Sequence, residues 1–466
     1  MRFRVWAVIA VLASAGVTGA PASAEPEAGL RWGPCPEEAR ATAAECAEVS
    51  VPLHYSDPGG ARIPLTISRI AAAGPARGVL FGNPGGPGGD ALGFWTQLNQ
   101  RVPQLRAAQF DQVAVQPRGL RWSQPLDCSS PLDGLPLTFQ LTCDSHHPGY
   151  ARTITTENMA RDLDQVRLAL GVERVSFLGV SWGTYLGAVY ATLFPQHTDK
   201  LVLDSNVDPD RRWAEQFAQI PAGVSRRLAE FTEWAATQDG SYGLGDTSAA
   251  VRDQWNRQVA AQGGGMDAPT LAATTFAAYS RNSWPYLAQG MREYRDDPSR
   301  TRFLDFLAKP ALAAHATSGW TRDAVECNED GRVDGLALLH SLATLGGTDP
   351  YVQQESLLRT GAACLGWPGT TVRIRVDGSA LAVRPLLVQS HHDPATQASG
   401  AVALAAATGG TVLWVDGGDH AQFGRRNPTV DDTVLEYLRS GTVAHTTAPE
   451  PPLITPSPPA EVPAGR

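Results

Sequence analysis

The nine residues from Val175 to Gly183 constrain this chain more than any other segment. A short apolar run, Val175 to Leu178, leads into Gly179-Val180-Ser181-Trp182-Gly183, and a helical pattern from Trp182 to Leu193 begins at once. Strand, sharp turn and helix in that order hold a serine hydroxyl clear of the backbone. The turn strains the serine, and small residues two places to either side let strand and helix pass each other. A Gly-x-Ser-x-Gly string alone says little in a chain with 46 glycines. Its place between strand and helix carries the reading.

A serine hydroxyl is a weak nucleophile until a base takes its proton, and the base needs an acid to fix its tautomer. On a strand-turn-helix elbow the partners follow in the order serine, acid, histidine. Asp393 lies just beyond the apolar run Pro385 to Gln389, and His420 just beyond Val412 to Val415, in Asp416-Gly-Gly-Asp-His420. Both fall where parallel strands end at a ligand-binding rim. Asp204, after an earlier apolar run, is the rival acid, and His391 and His392 read as rim residues because they precede the acid. The loop Asn83-Pro-Gly-Gly-Pro-Gly-Gly89 follows another strand, where backbone N–H groups of Gly85 and Gly86, with that of Trp182, can meet an oxyanion. A plain turn is the alternative. The loop has neither the Gly-Lys-Ser/Thr ending of a phosphate loop nor a dinucleotide fingerprint.

Apolar runs at Gly78 to Phe81, Gln112 to Val115, Val175 to Leu178 and Leu201 to Leu203 read as strands buried on both faces of a parallel sheet. A partly exposed strand at Arg62 to Ile70 precedes them, and helical periodicity appears at Met159 to Leu170. The alternation stops after Asp204 and resumes at Pro385, with a helix at Ala398 to Ala407 and another at Val430 to Leu438. The expectation is an α/β-hydrolase fold with a mostly parallel central sheet and an inserted, mainly helical cap. Its parts are a leader at 1–24, core at 25–206, cap at 207–380, core again at 381–445, and a Pro-rich disordered tail at 446–466.

The leader has Arg2 and Arg4, an apolar run from Val5 to Ala13, and Ala22-Ser-Ala24, which suits cleavage after Ala24 and export to the extracellular space. The run is too short to cross a hydrocarbon core of roughly 30 Å, so no stable membrane insertion is expected. Without the two leader arginines, 36 basic side chains face 47 acidic ones, a net charge of −11, which argues against nucleic acid as a partner. In an oxidising compartment the six cysteines read as disulfides. Sequence order suggests Cys35–Cys46, Cys128–Cys143 and Cys327–Cys364, although order alone does not choose among the fifteen pairings. No CxxC or HxxxH spacing supports a metal site. No cofactor is expected.

Taken together, NPGGPGG (83–89), QPRG (116–119), the stretch from Ala160 to Pro195, LVLDSNVDP (201–209), LLVQSHHDPAT (386–396) and DGGDH (416–420) resemble the secreted tripeptidyl aminopeptidases of actinobacteria. These are relatives of the proline iminopeptidases within the α/β hydrolases. Cys327 and Cys364, flanking the end of the cap, share in the resemblance. Gln116 stands where that family usually has aspartate, in a segment that bears on loop anchoring or pocket shape. The resemblance implies a serine exopeptidase acting near free N-termini. It suggests that Glu326, Glu329 and Asp330, beside Cys327, present carboxylates to the substrate amine. An esterase or amidase acting on a small acyl substrate is the second reading, because one triad opens both bond types. A binding protein without catalysis is the third, and it would predict damage at Ser181, Asp393 or His420, all of which are intact.

Overall fold

The computed structural model describes residues 29–129, 139–263, 266–312, 314–331, 362–367, 373–451 and 453. The proposed leader lies outside these residues, as do 332–361 of the expected cap and 454–466 of the tail.

Among the described residues, ten strands form one sheet: β1 (Gly33–Pro34), β2 (Glu45–Pro52), β3 (Arg62–Ile70), β4 (Gly78–Asn83), β5 (Phe110–Val115), β6 (Val175–Val180), β7 (Thr198–Asp204), β8 (Leu386–Ser390), β9 (Thr411–Val415) and β10 (Thr447–Ala448). Their order is β1-β2-β3-β5-β4-β6-β7-β8-β9-β10. The first three strands join antiparallel to one another and to β5, and every later pairing is parallel. Strand β2 is an element the sequence reading missed. Its signal is the alternation of inward Ala47, Val49 and Val51 with Glu48 and Ser50.

The centres of the parallel strands are apolar because both faces are covered. Val79, Phe81, Phe177, Leu201 and Leu203 enter one apolar cluster, and their neighbours Leu80, Leu178 and Val202 enter the cluster on the opposite face. Helices α3 (Thr156–Ala169) and α4 (Trp182–Leu193) cover the first face through Met159, Leu163, Leu186 and Val189. Helix α1 (Phe94–Arg101) and the helix Pro428–Ser440 cover the second through Trp95, Leu98, Val430 and Val434. A short helix α2 (Phe139–His146) carries Cys143. The QPRG segment is explained here. Arg118, fully buried, forks onto Asp162 of α3 at 2.7 and 2.6 Å, and Gly119 at φ +92° lies where a Cβ would sit 2.6 Å from Thr321 Oγ1.

Between β7 and β8 the described chain is largely helical: α5 (Trp213–Phe217), α6 (Ile220–Thr237), α7 (Asp239–Tyr242), α8 (Ser248–Ala261), α9 (Ala268–Tyr279), α10 (Trp284–Asp296), α11 (Arg302–Leu312) and α12 (Ala316–Asp330). Phe231, Trp284, Leu287, Met291 and Leu304 form an apolar cluster separate from the sheet, and Ile220, Val224 and Val259 another. By contrast Trp213, Val325, Cys327, Cys364 and Trp367 belong to the cluster on the sheet. Among the described residues, the helices with apolar clusters of their own run from α6 to α11.

Disulfides join Cys35 to Cys46, Cys128 to Cys143 and Cys327 to Cys364. The tail also departs from expectation. Thr447 and Ala448 add a parallel edge strand to β9, and the N–H groups of Trp414 and Asp416 donate to Thr446 O and Ala448 O at 2.9 Å each. Proline begins to interrupt the ladder only from Pro449. Among the described residues no helix is long and apolar enough to cross a membrane.

Candidate active site

Ser181 is the residue between β6 and α4, at φ +57° and ψ −126°, a conformation an L side chain adopts only under strain. The glycines around it are steric necessities. A Cβ on Gly179 would fall 2.2 Å from Gly183 O, and one on Gly183 would fall 2.9 Å from Asn83 O. The Ser181 N–H donates to Asp204 O at 2.9 Å, and its carbonyl accepts the Thr184 N–H at 2.8 Å as the helix starts. The half-buried Ser181 Oγ makes no hydrogen bond among the described residues.

Asp393 and His420 meet directly. Nδ1 of His420 lies 3.0 Å from each Asp393 oxygen. Asp393 is buried, which raises its pKa. The His420 charge and donors from Thr396 and Ser205 outweigh that burial, so the carboxyl is held below its usual range. The Ala395 and Thr396 N–H groups both donate to Oδ1 at 2.9 Å, and Thr396 Oγ1 lies 3.0 Å from Oδ2. A buried carboxylate supplied with this many donors stays ionised and keeps the imidazole in one tautomer, with Nε2 free to accept a proton.

Asp204, the rival acid, occupies a different post. Its carboxylate accepts the N–H groups of Gln422, at 3.0 and 2.8 Å, and of Phe423, at 2.7 Å. Burial pushes its pKa up against those N–H donors. Its neighbour Ser205, at φ +63°, accepts the Ala421 N–H at 2.8 Å and also bonds Asp393. Residues 204 and 205 thus tie the serine turn, the acid and the histidine loop together. Their positions at the end of β7 were readable; the hydrogen bonds were not.

On the other side of Ser181, Gly85 at φ +92° packs so closely that a Cβ would lie 2.3 Å from Val180 O and 2.9 Å from Ser181 Cβ. The Gly85 N–H is already donated to Asn83 Oδ1 at 2.8 Å. The Gly86 and Trp182 N–H groups have no partner among the described residues. Gln116, in place of the expected aspartate, is satisfied at both ends of its amide. Oε1 accepts the Ala91 N–H at 2.8 Å, and Nε2 donates to Asp90 Oδ1 at 2.7 Å and Arg121 O at 2.8 Å. A carboxylate at that position would face Asp90 with no proton to share.

The inserted helices touch each site loop. Ser318 Oγ of α12 donates to Gly88 O at 2.5 Å, Gly223 of α6 lies where a Cβ would be 2.4 Å from Pro394 O, and Tyr279 O of α9 accepts the His420 N–H at 3.0 Å. Of the three acidic residues near Cys327, Glu329 and Asp330 depart from expectation, because their carboxylates are occupied by the fold itself. Glu329 accepts the Thr156 N–H at 2.6 Å and Trp213 Nε1 at 2.9 Å, and Asp330 accepts the Trp213 and Ala214 N–H groups at 2.8 and 2.7 Å. Glu326 pairs with Arg322 one turn earlier, at 3.4 Å. Glu329 and Asp330 anchor α12 and α5 to the core and are not free to meet an amine.

A mostly parallel sheet, a strained serine at the turn after β6 and an acid-histidine pair after β8 and β9 are the marks of an α/β hydrolase. The profile of the alpha/beta hydrolase fold matches residues 79–423, and the chain belongs to that family. It is 31% identical to a tripeptidyl aminopeptidase of Streptomyces lividans, over 89% of this chain and 85% of that protein. It is 27% identical to the serine protease Hip1 of Mycobacterium tuberculosis, over 94% of this chain and 95% of that one. A carboxylesterase B of the same species is 28% identical over 92% and 90%.

Proposed function

We propose that this chain is an exported serine exopeptidase that releases short peptides from free N-termini through an acyl-enzyme on Ser181. The observation that carries the reading is the strained Ser181 on the same rim as the Asp393–His420 pair. The similarity to the Streptomyces tripeptidyl aminopeptidase supports the substrate class, and three disulfides suit an oxidising compartment.

In this reading His420 Nε2 takes the proton of Ser181 Oγ as the oxygen attacks the scissile carbonyl. Asp393 stabilises the imidazolium that forms, and His420 then returns the proton to the leaving amine. Water attacks the acyl-enzyme by the same route and frees the peptide acid. The N–H groups of Trp182 and Gly86 meet the oxyanion, and Gly85 supplies clearance. One such donor is worth about 10²–10³ in turnover. His420 as general base is worth about 10²–10⁴. The Ser181–His420 hydrogen bond forms as substrate closes the site, as is common for catalytic contacts that are open in a free enzyme.

The test is turnover of a tripeptide anilide against its N-acetylated form, with products of a mixed peptide pool identified by mass. Selective cleavage of the free form into tripeptides supports the reading. Equal cleavage of both removes the exopeptidase claim. The similarity to carboxylesterase B favours one second reading, an esterase for small acyl groups, and a panel of p-nitrophenyl esters run beside the anilides separates the two.

A further inference from the structure

The loop Asp416-Gly-Gly-Asp-His420 holds two glycines and a second aspartate that the triad leaves unexplained. A Cβ on Gly417, at φ +99°, would fall 2.4 Å from Glu450 Oε1, and a Cβ on Gly418 would fall 2.6 Å from Arg227 Cδ. Each glycine is therefore a clearance for a side chain arriving from outside the loop. Arg227 comes from α6 of the insertion, and Glu450 from the end of β10. Between them Asp419, 3% exposed, takes the Arg227 Nη2 at 3.1 Å and the Arg281 N–H at 2.7 Å on one oxygen. Arg281 closes the circuit by pairing with Glu450 at 2.6 Å. Arg227 also pairs with Glu230, which in turn meets His392 Nδ1 at 3.0 Å. Both guanidinium groups lie over Trp284, at 5.0 and 5.6 Å from its ring centre.

The residue next to His420 is thus held directly by the Arg227 guanidinium and the Arg281 main chain, and Glu450 acts on it through the Arg281 side chain. Such a clamp leaves the chemistry of the imidazole alone and sets where it stands. A displacement of about 1 Å at a reacting group costs on the order of 10²-fold in rate.

We propose that Glu450, Arg281 and Arg227 are positioning residues for His420, so that the C-terminal strand and the insertion jointly fix the imidazole against Ser181. This rests on the reading of Ser181 and His420 as nucleophile and base. In the mechanism it makes the end of β10 part of the active site's support, although β10 is an edge strand more than two hundred residues from the serine.

The experiment uses the full chain with Glu450→Gln, Arg281→Met and the double variant. A fluorophosphonate titrates active sites, and tripeptide anilide turnover is expressed per titrated site, with melting temperature measured alongside. The expected result is kcat per site about tenfold lower in each single variant, KM within about twofold, and a double variant no worse than either single, because both break one circuit. A purely structural role would lower the number of titrated sites and the melting temperature while leaving kcat per site unchanged. That result overturns the proposal, as does additivity of the two substitutions. Failure of the wild type to react with the fluorophosphonate is a separate outcome. It removes the hydrolase reading, and this inference with it.

Discussion

The sheet with its loops and the helices α6 to α11 solve different problems. In the sheet region, position is set by backbone. Ser181 and Ser205 hold positive φ, Gly85 and Gly119 do the same, and Gly179 and Gly183 sit where any Cβ would strike main chain or Asn83. In the inserted helices, position is set by side chains, through a cluster around Phe231, Trp284 and Met291 and a handful of contacts to the site loops. Catalytic geometry therefore tolerates almost no local change in the sheet loops, whereas the inserted helices keep an apolar cluster of their own and reach the site through a few contacts such as Arg227 to Asp419.

Three substitutions put that contrast at risk. Gly85→Ala forces a methyl against Val180 O and Ser181 Cβ, and the account expects turnover to fall about 10²–10³-fold as the oxyanion loop moves away. An alanine protein with turnover near wild type would show that backbone clearance does not set the site. Next in size is Asp162→Asn, which leaves the buried Arg118 charge without its counter-ion. Unfolding in denaturant should show a loss of about 3–5 kcal/mol. A loss below about 1 kcal/mol would make the QPRG segment a surface-like feature. The smallest effect is Gly319→Ala in α12, where nothing lies within 4 Å of the added methyl. It should stabilise by about 0.5–1 kcal/mol with unchanged kcat. Destabilisation there would mean that α12, which packs on the sheet cluster, is as tightly specified as the site loops.

The same contrast explains what the sequence made legible. The elbow around Ser181, the strands β4 to β9 and the positions of Asp393 and His420 could be read because each is a local pattern, an apolar run closed by turn residues. Long-range side-chain bonds leave no such trace. Nothing near Glu329 in the sequence announces the Thr156 and Trp213 donors that occupy it, and the acidic cluster looked free for that reason. The tail misled differently. Its prolines disqualify most of it from a sheet, yet Thr447 and Ala448 precede the first of them and pair along β9. Asp204 was visible only as a carboxylate at a strand end, since its role depends on two N–H groups more than two hundred residues later.

The most direct test of the account is the site of covalent modification by a fluorophosphonate, mapped by peptide mass spectrometry on wild type and on Ser181→Ala, with anilide and ester turnover measured on both. The account predicts one modified residue, Ser181, in the wild type. In the alanine protein it predicts no label, a fall in turnover of at least about 10⁴-fold, and an unchanged melting temperature. Label on a different serine, or turnover by Ser181→Ala within tenfold of wild type, would contradict it.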